Sequence, residues 1–496
     1  MLGKDLFNDL YSLTQITIPK SITIIEERCF YKCKYLKVVN LSSSVTTISN
    51  EAFKECRSLQ EITNTSNLTD IGERAFQFCS ITKISLPLVT KINRSCFHGC
   101  DHLACVELSS SLTSIEERAF YDCAELRDIT IPPTVKMIGK LAFSGCSSIT
   151  SITIPSLIEI IEDETFTLCT SLTQIINYSN FVSIGKSAFN RCKFSEFSIP
   201  STVTTIGDYA FSDCSLLEKI SIPSSITSIG DYAFQGCLLL KELTIPESVA
   251  SIGSGTFSKC SSLEQIAISS PITKIDGFMF QLCTSLKSFK IPETVTIIKY
   301  NAFSQCSSLE SISIPPSVTA IEESSFDRCS KLSSVTIPPS VASIGNSVFK
   351  YCSSLTEISI PPSVASIGFN TFRDCISLKS VSISSSVKEI GSYSFYNCKA
   401  LESLLIPESV NSIGSNAFYG CSSLKEVSIL SSMTSIAPFV FAKCTSLEKV
   451  TIPSSVTSVG YSAFGDCQSL SEVSIPKSLT NIDKSAFPQH TKIIFY

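Results

Sequence analysis

Apolar residues return along this chain in one fixed order. In Leu309-x-x-Ile312-x-Ile314 they alternate and stop at Pro315, which predicts a short strand ending where proline removes the next ladder donor. Val318-x-x-Ile321 then sends apolar groups back toward the same interior from a second, poorer strand or extended turn. Glycine follows in many copies, at Gly207, Gly230, Gly253, Gly345, Gly368, Gly391 and Gly414, where a turn makes a side chain costly. Segments such as Tyr209-Ala210-Phe211-Ser212-Asp213-Cys214 close each copy and fit one helical or 3₁₀ turn, too short to last as an α-helix alone.

The closing phenylalanine measures the period. From Phe7 to Phe487 it occurs 22 times, and 19 of the 21 intervals are 23 residues long. Only Phe76 to Phe97 (21) and Phe189 to Phe211 (22) depart. One apolar set per period in the twenties is the mark of a leucine-rich-repeat solenoid. The expected fold is therefore an α/β-type repeat solenoid of about 22 copies of 23 residues: a right-handed superhelix with a long parallel β-sheet and short helical or 3₁₀ turns. Each copy needs only its neighbours, so a chain too long for one globular core is expected to form a single solenoid over residues 1–496.

Two places break the rhythm, near 62–97 and 175–211. Residues 62–68 and 175–181 both lose the Ile-Pro end of the strand, and each precedes one of the short intervals. A bend is expected there, with plain drift in a tolerant repeat as the other explanation.

A hydrophobic content of 43% against 17% charge excludes a disordered chain. The net charge of -5 argues against nucleic acid, which calls for a basic stripe. No apolar run approaches the roughly 18 residues of a membrane span, and no basic-apolar-small leader precedes Leu6-Phe7.

Cysteine is abundant, yet 20 of the 23 sit three residues after the repeat phenylalanine, from Cys33 to Cys467. In-register stacking points such side chains inward in parallel, so a column of reduced, buried thiols is expected instead of disulfides. The stretch from Cys96 to Cys105 gathers three cysteines with His98 and His102, ligand types that suit zinc. Cys100 belongs to the core column and Cys96 takes the slot of a packed alanine, so the four convergent ligands of a structural zinc are not expected, nor any cofactor. No Ser-His-Asp arrangement, GxxxxGK[ST] loop or GxGxxG fingerprint appears. Enzyme activity is not expected. Five Asn-x-Ser/Thr sequons, at Asn40, Asn64, Asn67, Asn93 and Asn177, are matched in a chain rich enough in hydroxyl residues to produce several by chance.

Binding is then the remaining class, and the outer face of the sheet is the first candidate surface. Its contact residues are Lys219, Ser221, Glu242, Thr244, Ser313, Thr336, Glu357, Ser359, Ser382, Glu426, Ser428, Lys449 and Thr451. A solubilising ladder that is easy to stack explains the same pattern. Aromatic residues just before the closing pair, Tyr209, Tyr232, Phe278, Tyr300, Phe369, Tyr393, Phe439 and Tyr461, form a second set, either contact anchors or partial packing between coils.

Residues 302–318, Ala-Phe-Ser-Gln-Cys-Ser-Ser-Leu-Glu-Ser-Ile-Ser-Ile-Pro-Pro-Ser-Val, resemble the motif of the BspA-like leucine-rich-repeat proteins of bacteria and anaerobic protists. The resemblance covers essentially the whole chain. It implies display at the cell surface and adhesion to host or matrix components, with a protein as the expected partner and a glycan as the other class; charge and apolar run length give the expectation of neither nucleic acid nor a membrane span. The missing leader and anchor favour a cytoplasmic interaction scaffold as the alternative.

Overall fold

The computed structural model describes every residue of the chain except 178, 179 and 431. It divides into two compact units, Met1–Leu240 and Lys241–Tyr496, each a parallel β-solenoid. Within each coil the alternating run forms a short strand, such as Ser334–Thr336, with its middle residue buried and the outer two exposed. The following apolar pair forms a second, two-residue strand, such as Ser343–Ile344, whose isoleucine turns inward. Neighbouring coils pair in parallel and in strict register: Ser311 opposes Ser334, Ile312 opposes Val335, and Ser313 opposes Thr336.

One long sheet is not what forms. In the first unit the main strands associate in groups of two or three, and in the second in groups of two, three and five. Each strand gives its neighbour at most four residues of ladder, so the natural twist between strands is enough to interrupt it. The coils still stay in step at a break. Between Ser334–Thr336 and Glu357–Ser359 the Thr356 N–H donates to the Ser333 carbonyl at 3.3 Å.

The closing segments are not helical either. Among the described residues Thr65–Asn67 is the single 3₁₀ helix, and there is no α-helix. In every coil from Phe7 to Phe464, the residues two before and two after the phenylalanine lie in the left-handed region. Around Phe30 these are Arg28 at φ 56° and Lys32 at φ 58°. The alternation divides the main-chain donors between two directions. Arg28, Phe30 and Lys32 donate forward to the carbonyls of Asn50, Ala52 and Lys54 at 3.0, 2.8 and 2.9 Å, while Cys29, Tyr31 and Cys33 close local turns on Glu26, Arg28 and Phe30. A helix would spend all these donors within the coil. Here half of them tie one coil to the next, which satisfies buried N–H groups and outweighs the roughly 1–2 kcal/mol that a left-handed residue costs.

The core is built of like residues in rows. Phe303 is wholly buried, with the Phe280 and Phe326 rings stacked on either side at 5.2 and 5.3 Å. Beside it, Cys306 donates its thiol hydrogen to the Phe280 carbonyl at 3.1 Å. That carbonyl also accepts the Cys283 N–H at 3.0 Å, so the cysteine fills a small apolar slot and satisfies a second lone pair. Glycine in the turn is required by close approach. A Cβ on Gly345 would lie 2.5 Å from the Glu323 nitrogen of the preceding coil.

The two short intervals leave this side of the coil untouched. Phe76 and Phe97 stack at 5.5 Å, as do Phe189 and Phe211. One residue is missing before the strand in each, where Cys79-Ser80-Ile81 and Cys192-Lys193-Phe194 stand against Cys56-Arg57-Ser58-Leu59, and in the first interval a second is missing after it, where Leu86-Pro87-Leu88-Val89 stands against Ile314-Pro315-Pro316-Ser317-Val318. At the first irregular stretch, Asn64 turns left-handed at φ 59° and the Asn67 amide donates to the Ser43 carbonyl at 2.8 Å, replacing the lost Ile-Pro. At the second, Asn177 is again left-handed at φ 60° and Asn180 donates to Ser156 at 2.9 Å; positions 178 and 179 lie outside the described residues.

Candidate binding surfaces

All thirteen expected contact residues of the sheet face are exposed. Lys219 and Ser221 belong to the strand Lys219–Ser221 of the first unit and lie beside Glu196 and Ser198. In the second unit Glu242 and Thr244 adjoin Gln265 and Ala267. Ser313 lies beside Thr336, and Glu357 and Ser359 adjoin Ser380 and Ser382. Glu426 is brought against Lys449, while Ser428 lies next to the exposed Leu405, and Thr451 next to Ser474. The face is mainly a ladder of hydroxyls, edged by charge that alternates over Glu196, Lys219 and Glu242 and again over Glu426, Lys449 and Glu472. Over Thr336, Glu357, Ser359 and Ser382 it opens into a groove of ≈ 650 Å³ whose far wall is formed by Pro339, Pro361 and Pro362.

The aromatic set on the turn side resolves into pairs from two different slots. Tyr209 and Tyr232 stack at 5.1 Å. Phe278 meets Tyr300 edge-on at 5.1 Å, Phe369 meets Tyr393 at 5.7 Å, and Phe439 meets Tyr461 at 5.1 Å. Tyr300, Phe369 and Tyr461 sit one residue earlier in their coils than the others. Coil-to-coil packing thus accounts for these rings, although Tyr461 keeps 54% of its surface exposed.

A third surface was not foreseen. The two positions after the closing phenylalanine carry cations set against tyrosine rings. Arg328 lies 4.6 Å and Lys350 5.2 Å from the Tyr351 ring, Arg373 lies 4.9 Å from Tyr396, and Lys443 lies 5.4 Å from Tyr419. In the first unit Lys32 and Lys54 lie 4.9 and 5.8 Å from the Tyr31 ring, joined at 4.6 Å by Arg28 from before the phenylalanine. Tabulating these two variable positions coil by coil would have exposed the pattern in the sequence.

The cysteine–histidine stretch does not converge. Cys96 and Cys100 are fully buried, and Cys100 donates to the Phe76 carbonyl at 3.1 Å. Cys105 opens the strand Cys105–Leu108 and is partly exposed. His98 packs between the Phe78 and Tyr121 rings at 5.0 and 4.8 Å and shares a hydrogen bond with the Gln77 amide. His102 faces Glu125 at 3.1 Å. Among the described residues no group of three potential ligands is placed to hold a metal.

All 23 cysteines are free thiols, 22 of them buried. Burial pushes Cys169 up to about 12 and raises Cys123, Cys306 and Cys444 as well, which keeps these thiols protonated and unreactive. Of the sequons, Asn64 and Asn177 are exposed, and the Asn64 and Asn93 amides donate to the Leu41 and Ile71 carbonyls at 2.8 and 2.7 Å.

In-register parallel coils, a phenylalanine row and exposed polar faces define a leucine-rich-repeat solenoid, a protein-interaction fold. The model of the BspA type leucine rich repeat region matches residues 1–104, 90–216, 182–308, 274–402 and 365–494, and the chain belongs to that family. A leucine-rich repeat protein from Bacteroides ovatus is similar over 78% of this chain and 88% of its own, with 30% identity and a TM-score of 0.56. A leucine rich cell surface protein from Faecalibacterium prausnitzii is 29% identical over 65% of this chain and 87% of its own, with a TM-score of 0.40. No curated protein matches the chain. No helix among the described residues is long and apolar enough to cross a membrane.

Proposed function

We propose that this chain is a non-enzymatic binding protein, a BspA-like surface antigen or adhesin that contacts a host or matrix protein through the outer face of its sheet. The observation that carries this reading is the register of that face. Glu357, Ser359, Ser380 and Ser382 stand exposed on paired strands beside the ≈ 650 Å³ groove, and similar rows recur in other coils. Many equivalent weak contacts add through multivalency, which suits a surface with few of the Trp, Tyr and Arg anchors of strong hot spots. Binding of the full chain to immobilised matrix proteins and to whole cells tests it. Replacing Glu357, Ser359, Glu426 and Ser428 together by lysine should weaken capture by about tenfold or more. Equal capture by the folded variant refutes the assignment to this face.

The thiol column favours a second reading, an intracellular interaction scaffold. Twenty-three free cysteines, 22 of them buried, match a reducing compartment. Staining of intact against permeabilised cells separates the two, and sugar attached at Asn64 or Asn177 excludes the scaffold.

A further inference from the structure

The cation–tyrosine strip on the turn side of the second unit, between Arg328 and Lys443, is independent of the sheet-face reading. Six successive coils each place one such residue directly after the closing phenylalanine or one position beyond: Arg328, Tyr351, Arg373, Tyr396, Tyr419 and Lys443. The rings are held rigidly. Tyr396 and Tyr419 stack face to face at 4.8 Å and 2°, so their edges and phenolic hydroxyls are what they offer outward. The charge is lopsided. Lys350 and Lys399 add to the cations, while the turn segments after Arg328 carry only Asp374 as a carboxylate, with Glu322, Glu323 and Asp327 just ahead of Arg328 in the first. Asp374 is already tied to the Arg373 guanidinium at 3.2 Å and the Asn397 amide at 2.9 Å. Asp327 has one oxygen buried without a hydrogen-bond partner, and burial raises its carboxyl above the usual range. Lys350, Lys399 and Lys443 are in no ion pair among the described residues.

A groove of ≈ 510 Å³ is cut into the same strip, lined by Arg328, Tyr351 and Asp374 on one side and by Ser307, Ser330 and Ser353 on the other. These serines are oriented by the stack. Ser330 donates its hydrogen to the Ser307 carbonyl at 3.3 Å, and Ser353 to the Ser330 carbonyl at 3.1 Å, which leaves their oxygens as acceptors. A ligand matched to this wall supplies hydroxyl donors to the serine row, an anionic group to the guanidinium, and a hydrogen-bonding group to the tyrosine hydroxyls. A polypeptide polyanion has the charge without the hydroxyl row, as does single-stranded DNA. We propose that this strip is a binding surface for an acidic polysaccharide, one bearing sulfate or carboxylate groups along a hydroxyl-rich chain.

Heparin is the probe, offered to the full chain in solution. Binding is expected, weakened by salt as exposed charges are screened, with dextran, polyglutamate and single-stranded DNA binding more weakly. The combined variant Arg328→Ser, Lys350→Ser, Arg373→Ser should bind heparin at least about tenfold more weakly. Tyr351→Ser, with every charge intact, should lose about threefold or more. Should the triple variant melt early, Lys350→Ser with Lys443→Ser serves in its place, since neither lysine holds an ion pair. Absence of heparin binding in low salt, equal binding of polyglutamate or DNA, or unaltered binding by the folded variants would each overturn the proposal.

Discussion

The strand side and the turn side of one coil solve the same stacking problem differently. On the strand side the ladder is made of pieces two to four residues long and is interrupted repeatedly along each unit. On the turn side, left-handed residues project every second N–H into the next coil, with a phenylalanine row and a thiol row beneath. The short intervals make the difference plain: residues vanish before the strand, and in one coil after it, yet the rings keep their 5.5 Å spacing. Strictness sits where the core is, and the strand side is left free to vary.

Damage should therefore be greatest on the turn side. Phe303→Ala removes a wholly buried ring stacked on two others and should cost about 3–5 kcal/mol. Hydrogen exchange should show the loss confined to nearby coils, since repeats are coupled to their neighbours. Cys306→Ala deletes the thiol donor to Phe280 and should cost about 1–3 kcal/mol in denaturant unfolding. A cost below that range would mean the column is chosen for size alone.

Acid should act on the turn side too. The His98 ring lies between Phe78 and Tyr121, and burial, with the nearby Arg118, Arg74 and Lys54 charges, holds it below its usual value, against a smaller opposing effect of Asp101. Folding thus favours the neutral ring. The stabilisation is complete above the unfolded value of about 6.5 and is lost as pH falls through the folded one. Melting temperature should drop over that acid range, and His98→Phe should flatten that part of the profile.

Leu168 separates backbone from side chain. It is left-handed at φ 61° and 36% exposed, so Leu168→Val should destabilise by about 1 kcal/mol while Leu168→Gly is tolerated. Smallest of all, Ser359→Ala on the strand face should stay within about 0.5 kcal/mol in thermal melts. A larger loss there would mean that the hydroxyl ladder contributes to the stack.

Much of this was legible in the spacing. Phe303, Cys306, Leu309 and Ile312 fall in the core where their period puts them, and Ser313 and Thr336 stand outside in register. The helical turns and the unbroken sheet were misjudged for one shared reason. Both depend on where a main-chain N–H goes, and that is set by the neighbouring coil. Residues as ordinary as Arg28 and Leu168 give no sign that they are left-handed. The cation–tyrosine strip was overlooked because Arg328, Tyr351 and Arg373 differ from coil to coil, and only stacking makes them neighbours.

By itself the order of residues determined the repeat, the family and the identity of the buried rows, because a 23-residue period recurs from end to end and stacked coils bring like residues together. The tertiary structure decided the turn conformation, the breaks in the sheet and the composition of each face. Those follow from hydrogen bonds and contacts that exist only once one coil lies on the next.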